Sequence, residues 1–216
     1  MHYKYYSSNI IGCNNFLPSN IKEFIKVDLL NNKFRFKKSL WGKGNISLEN
    51  KKNSHVSYNC GGKDFWITRK DEQEIEAPSI KILGDWFFQQ GLLNYVKYSS
   101  NVFNLLDRKF NWSIHIVSYN NGGYYNWHSD LGSSILGDQN LFTFNYIIQS
   151  SSILKGGDML YQEDKNKIIK INNQDNFMCV FPSYVQHAIT PISSIDSKEV
   201  SFLDQRFSIQ YWCSLE

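Results

Sequence analysis

From residue 112 onward, β-branched and aromatic residues come in short bursts separated by turn-forming residues. Segments 113–119, 124–130, 141–149, 158–162, 167–171, 177–181, 186–190 and 205–213 carry Val, Ile, Thr, Tyr, Phe or Trp at the density expected of strands. Asn120-Asn121-Gly122-Gly123, Gly156-Gly157 and Asn172-Asn173 punctuate them with residues that tolerate tight-turn backbone. No helix-length segment separates these strands. That argues against a doubly wound α/β fold and for a β-sandwich or jelly roll with helices packed outside. The chain before residue 111 has another texture. Ile21, Phe24, Ile25 and Leu29 recur at helical spacing behind Pro18-Ser19, with Ser19 the expected N-cap. Residues 79–88 and 94–110 are read as two further helices, with Gly84 and Gly91 as weak points. Residues 31–76 are polar and rich in Lys, Asn and Gly, which predicts loops with short strands such as Phe65–Thr68. The expectation is one domain over 1–216, mainly β with flanking helices (α+β). In it 1–110 gives helical and loop support and 111–216 a jelly-roll core.

Composition narrows the function. A net charge of +3 without a clustered basic arm gives no reason to favour nucleic acid as a partner. No run of about 18 apolar residues exists, so no membrane-spanning helix is expected. Residues 1–13 lack the charged-then-apolar order of a secretory signal, and a cytoplasmic location is expected. Cys13, Cys60, Cys179 and Cys213 are far apart, with no Cys-x-x-Cys spacing. They are read as reduced, partly buried thiols, not as a zinc site or a disulfide framework. The sequons at Asn45 and Asn111 are expected to be inert in that compartment.

The chemistry concentrates in Tyr124-Tyr-Asn-Trp-His-Ser-Asp130. In an extended strand residues i and i+2 share a face, so His128 and Asp130 project side by side. His187 is available as a third ligand. Two imidazoles and one carboxylate on one face of a metal form the facial triad of non-haem Fe(II) oxygenases, and leave positions open for a bidentate oxo-acid and dioxygen. The far end of such an acid needs a fixed cation. Arg206 is the first choice, because its planar guanidinium makes paired bonds to a carboxylate. Ser208 shares its strand face and offers a hydroxyl donor. Lys198 competes with Arg206, but sits in the polar stretch 193–204. Asn126 is placed on the face of His128, and Trp127 on the opposite, core-packing face. His115, on a strand with Val117 and Tyr119, is read as a hydrogen-bonded core residue, not as a ligand.

These residues carry a family resemblance. Tyr119 to Asp130 resembles the first signature of Fe(II)/2-oxoglutarate-dependent dioxygenases of the prolyl-4-hydroxylase-like group: a Tyr, a Gly-containing turn and His-x-Asp, in order. Gly156-Gly157 resembles the Gly pair after the next long strand. Phe181 to Pro191 resembles the distal-histidine segment, and Arg206-Phe207-Ser208 the Arg-x-Ser of the co-substrate strand. The similarity spans about 112–212. In that family the basic residue follows the distal histidine more closely, so 193–204 is read as an insertion. The resemblance implies a double-stranded β-helix (a jelly roll, cupin-like) that holds Fe(II) through His128, Asp130 and His187. It implies 2-oxoglutarate and O2 as co-substrates, succinate and CO2 as products, and admits ascorbate as a reductant. Tyr119 matches a position whose hydroxyl often reaches the co-substrate, and Tyr146 is a second candidate for the same role. The implied activity is hydroxylation of a prolyl or other amino-acid side chain of a peptide or protein. Residues 31–76 and 193–204 are candidate lids over the substrate.

Three alternatives stand beside this reading. A nucleic-acid or small-molecule oxygenase of the same superfamily is one; its nucleic-acid branch carries a second Arg six positions after the first, where this chain has Trp212. A cupin-like metal-dependent hydrolase or isomerase would use the same three ligands with a metal-bound water, and would not need Arg206. A non-catalytic jelly-roll binding module would be expected to lack a ligand, and none is missing.

Overall fold

The structure is a computed structural model, described here for residues 2–38, 63–67, 76–81, 83, 110–131 and 140–215. Fourteen strands and one helix of 13 residues organise these segments. The N-terminal part supplies β1 (His2–Ser7), β2 (Ile10–Asn14), α1 (Ser19–Asn31), β3 (Lys37–Lys38) and β4 (Lys63–Ile67). The remainder supplies β5 (Phe110–Tyr119), β6 (Tyr125–His128), β7 (Asn140–Ile148), β8 (Leu154–Gly156), β9 (Met159–Asp164), β10 (Lys167–Ile171), β11 (Phe177–Pro182), β12 (His187–Ile189), β13 (Ile192–Ser194) and β14 (Arg206–Leu215).

An eight-stranded antiparallel sheet runs in the order β1-β2-β11-β7-β14-β5-β4-β3, and a four-stranded sheet runs β10-β9-β12-β6. A two-stranded ribbon pairs β13 with β8. This is the architecture of a double-stranded β-helix, as expected. All eight strands read from the second half are present. Strands β1 and β2 carry no strong alternation and were not expected; they extend the large sheet through pairing of β2 with β11. Strands from both sides of residue 110 are thus neighbours in one sheet.

Period-2 alternation assigns each strand's two faces. Even residues of β7 (Phe142, Phe144, Tyr146, Ile148) and odd residues of β14 (Phe207, Ile209, Tyr211, Cys213) join Ile25 and Leu29 of α1 in the outer core. The opposite faces point between the two sheets. There Ile147, Met159, Tyr161, Phe177, Cys179 and Phe181 form one apolar cluster, and Val117, Tyr119, Tyr125, Leu154, Ile189 and Ile192 form another. The functional side chains lie between these sheets.

Helix α1 begins as expected, but Pro18 is its N-cap, and no side chain caps it. Pro at the boundary needs no donor, since the first amides of a helix have no intrahelical partner. Buried Asp28 accepts from the backbone N–H of Ser79 (2.6 Å) and Ile80 (3.2 Å), tying α1 to the start of the next helical segment. That segment is helical at 78–81 and 83, against an expected start at 79. The expected helix 94–110 falls outside the described residues except for Phe110, which opens β5. Most of the candidate lid 31–76 also falls outside them. Within 193–204, expected as a loop, Ile192–Ser194 forms β13 and Phe202–Asp204 a 3-10 turn. Asn120 and Asn121 grip this segment: Val200 N donates to Asn120 Oδ1 (2.9 Å), and Asn121 Nδ2 donates to the Ser197 carbonyl (2.9 Å). Among the described residues, no helix is long and apolar enough to cross a membrane.

Candidate metal centre and anion pocket

Strand register brings the first two ligands together. His187 of β12 is the cross-strand partner of His128 of β6, and their ring centroids lie 4.1 Å apart. Asp130 lies just beyond the end of β6, two residues past the pairing that closes the strand. Its backbone is held by the next turn: the N–H groups of Asp130 and Leu131 both donate to the Ser183 carbonyl, at 2.9 and 3.1 Å. Asn140 Nδ2 donates to the Asp130 carbonyl at 3.0 Å. The Asp130 side chain is fully buried, with Oδ1 3.6 Å from His128 Nε2 and Oδ2 3.6 Å from His187 Nε2. One ligand atom from each of the three residues falls within 4.8 Å of the other two.

The tautomers follow from hydrogen bonding. A carbonyl can only accept, so His128 Nδ1–H donates to the Asn126 carbonyl (2.8 Å) and His187 Nδ1–H to the Val185 carbonyl (2.9 Å). In the neutral rings both Nε2 atoms therefore carry lone pairs. Burial lowers the pKa of each imidazole to about 4, aided at His128 by its neighbour His187 and opposed by Asp130. The rings are neutral at pH 7. Burial raises the pKa of Asp130. His187 Nε2 and Asp130 Oδ1 are buried and have no hydrogen-bond partner among the described residues. The Nε2 lone pairs and the Asp130 carboxyl oxygens thus face one another, an arrangement that a bound cation would satisfy. The donor set, two imidazole nitrogens and a carboxylate oxygen, fits Fe(II). Tyr125 stacks on His128 at 3.9 Å, while Phe181 meets His187 edge-on at 4.8 Å, so aromatic rings fix both imidazole planes.

A second charge lies along β14. Arg206 is fully buried, and its cross-strand partner is Tyr119, whose ring carries the guanidinium at 5.3 Å. Arg206 Nε donates to Asn173 Oδ1 (3.1 Å), while Nη1 and Nη2 have no hydrogen-bond partner among the described residues. Burial lowers its pKa, yet an arginine keeps its proton, so the site holds a charge that calls for an anion. Gly157 makes room: a Cβ there would meet Arg206 Cδ at 2.9 Å. Lys198 is exposed on the 193–204 segment.

Other expectations change. Tyr146 belongs to the outer face of β7 and donates to Asn176 Oδ1 (2.9 Å), pointing away from the Arg206 pocket. Tyr161 of β9, by contrast, faces inward, as do Tyr119 and Tyr125. It stacks near His187 (6.0 Å) and is close enough to Asp130 and Arg206 for both charges to act on its hydroxyl. Ser208 shares Arg206's face as expected, but its hydroxyl donates to Asn145 Oδ1 (2.7 Å). Asn126 contributes its carbonyl to His128, while its side chain is exposed. Trp127, expected in the core, is 42% exposed. His115 is a buried core histidine, donating from Nδ1 to Gln210 Oε1 (3.0 Å) against the Trp212 ring (5.3 Å). Thr143, Asn173 and Tyr161 were not singled out from the sequence. Thr and Asn in strands or turns carry no local mark of function, and only strand register shows what they meet.

Residues 114–214 match the family model described as the 2OG-Fe(II) oxygenase superfamily. No curated protein sequence matches the chain. Among solved structures, the chain resembles a prolyl hydroxylase from Trichoplax adhaerens, in complex with a hypoxia inducible factor oxygen degradation domain peptide fragment. The TM-score is 0.64 at 18% identity, over 96% of this chain and 84% of that one. A Pseudomonas putida prolyl-4-hydroxylase gives 0.61 at 14% identity, over 96% and 93%. A viral collagen prolyl hydroxylase of Paramecium bursaria Chlorella virus-1, in its 2OG complex, gives 0.54 at 17%, over 96% and 97%. At these identities the likeness establishes the shared fold.

Proposed function

We propose that the chain is a 2OG-Fe(II) oxygenase, a dioxygenase that uses Fe(II), 2-oxoglutarate and O2, because residues 114–214 match that family's model, and that His128, Asp130 and His187 hold the iron. We further propose that Arg206 anchors the far carboxylate of 2-oxoglutarate and that the substrate is a prolyl or other amino-acid side chain of a peptide. The observation that carries the first part is the convergence of one ligand atom from each of these three side chains within 4.8 Å. Bound there, Fe(II) supplies the activation of dioxygen that is coupled to oxidative decarboxylation of 2-oxoglutarate to succinate and CO2, with oxygen delivered to a substrate C–H bond.

The chain's own residues bind, orient and exclude water. His128 and His187 present fixed Nε2 lone pairs because their Nδ1 protons are committed to carbonyls. Arg206 offers two free guanidinium nitrogens, a fork that matches a carboxylate. The Tyr119 ring lies against the guanidinium, and Arg206 is fully buried, so an acid bound there would be shielded from water. A hydrolase or isomerase on the same three ligands would have no use for this buried, unpaired charge. Support for a peptide substrate comes from the solved neighbours, three of which are prolyl hydroxylases.

Anaerobic addition of Fe(II) and then 2-oxoglutarate is expected to produce the weak visible charge-transfer band of a chelated oxo-acid, absent in His187→Ala. No band in the wild-type chain rejects the site. Succinate release and a gain of one oxygen mass on proline-containing peptides, with none on the corresponding proline-to-alanine peptides, tests the substrate class.

A further inference from the structure

The two carboxylate oxygens of Asp130 are not equivalent. Oδ2 accepts from Thr143 Oγ1 at 2.6 Å, inside the protein, whereas Oδ1 is buried with no hydrogen-bond partner among the described residues. The carboxylate accepts only, so the Thr143 proton is committed to it. The second Thr143 contact, to Ser183 Oγ at 3.2 Å, then runs the other way, with Ser183 donating. Thr143 and Ser183 are both 0% exposed. The same Ser183 accepts the backbone N–H groups of Asp130 and Leu131 through its carbonyl, and donates its own N–H to the Leu141 carbonyl at 2.9 Å. Phe181 of β11 is the cross-strand partner of Thr143 of β7. That register delivers Ser183, two residues further on, to the threonine.

We propose that Thr143, held by Ser183, is a positioning residue that locks Asp130 Oδ2 and leaves Oδ1 as its one metal-binding oxygen. The inference rests on the iron-site reading above. With Oδ2 tied to a buried hydroxyl, the carboxylate cannot swing to take the metal with both oxygens. A second carboxylate oxygen would occupy a position that the oxo-acid or dioxygen needs. The relay therefore acts on both metal affinity and the number of positions left open. Thr143 touches neither iron nor co-substrate; it works through Asp130.

The test measures Co(II) and Fe(II) affinity of the full chain by anaerobic titration, in folded protein checked by circular dichroism, with activity set aside. Thr143→Val keeps the shape and removes the hydroxyl. It is expected to weaken metal binding on the order of 10–100-fold, the usual cost of losing an outer partner of a metal ligand. It is also expected to diminish the 2-oxoglutarate charge-transfer band at saturating Fe(II). Thr143→Ser restores the donor and is expected to return affinity to within about threefold of wild type, as a threonine that merely filled space would not require. Affinity and band unchanged in Thr143→Val overturn the proposal. Should that variant not fold, Ser183→Ala carries the test. It frees the Thr143 hydroxyl and is expected to weaken binding by about threefold or more; unchanged affinity there overturns the relay. Wild-type binding that does not depend on His187 would overturn the iron-site reading, and the relay with it. His187-dependent binding that is unmoved in Thr143→Val removes the relay alone.

Discussion

Arg206 and Tyr146 show how one atom's surroundings decide a role. Both are large, polar-tipped side chains buried on neighbouring strands, β14 and β7. Tyr146 donates its only proton to Asn176, so Tyr146→Phe should cost ~0.5–1.5 kcal/mol of stability and leave the 2-oxoglutarate KM unchanged. Arg206 has two guanidinium nitrogens with no hydrogen-bond partner among the described residues. A hydrogen bond to a charged partner is worth ~1.5–3 kcal/mol, so Arg206→Ala should raise the 2-oxoglutarate KM by about 10–100-fold. Lys198→Ala, at an exposed position, should not raise it; steady-state kinetics on the pair would show a reversed pattern if the cation were misassigned. The two candidate ligand histidines make a separate prediction for the metal-free protein. Their folded pKa values are lowered to about 4, against ~6.5 in an unfolded chain. Between those values the unfolded state binds more protons, so stability falls as pH drops from about 6.5 to about 4, then levels. Asp130, with its raised pKa, acts in the opposite sense and offsets part of this. Urea unfolding across that window should give a clear slope in the wild-type apoprotein and a shallower one in His187→Leu. Equal slopes would show that His187 is not held neutral by burial.

At the scale of elements, the turn between β8 and β9 couples sheet geometry to the anion pocket. Gly156 and Gly157 both adopt positive φ, at 79° and 74°, where side chains are strained. Their surroundings differ. A Cβ at Gly156 would meet the Pro191 carbonyl oxygen at 2.2 Å, a backbone atom that cannot step aside. A Cβ at Gly157 would meet the Arg206 side chain at 2.9 Å and Asn173 Nδ2 at 3.1 Å. Gly156→Ala should therefore lower the melting temperature, with a backbone cost of ~1–3 kcal/mol. Gly157→Ala carries a similar backbone strain, but its added effect is to displace the guanidinium, seen as a raised 2-oxoglutarate KM. Thermal melts and KM values on both variants would separate the two; a normal KM in Gly157→Ala would argue that Arg206 does not depend on this seat. The 193–204 segment, read as a candidate lid, is bound to the Asn120-Asn121 turn that precedes β6, and Phe202 packs edge-on to Phe207 of β14 (5.1 Å).

At the scale of the whole molecule, two antiparallel sheets close over a mixed interior, and the thiols report that closure. Cys13, Cys179 and Cys213 are buried thiols outside any disulfide, with burial pushing the pKa of Cys179 and of Cys213 up to about 12. The thiolate is the reactive form, so these two should resist alkylation in the native protein and react on unfolding. Mass mapping of iodoacetamide adducts with and without denaturant would expose the error if either is labelled early. The three metal-ligand candidates and the buried Arg206 proposed as anchor could be picked out along the chain, because each is a chemically distinctive residue type in a local pattern. So could the jelly roll, because alternation and turn residues are local signals. The face to which Tyr146 belongs was not legible. Strand β7 is buried on both sides, and a strand that is apolar on both faces does not announce its direction. Strands β1 and β2 were missed for a related reason: their place in the sheet comes from pairing with β11, more than 160 residues away along the chain. Thr143, Ser183, Asn173 and Tyr161 acquire meaning only through such pairings. Local sequence carries residue chemistry and period, and so it pointed to the candidate ligands and to the fold class. Which hydroxyl meets Asp130, and which tyrosine faces Arg206, depended on register between distant strands, a long-range property that exists only once the sheets have formed.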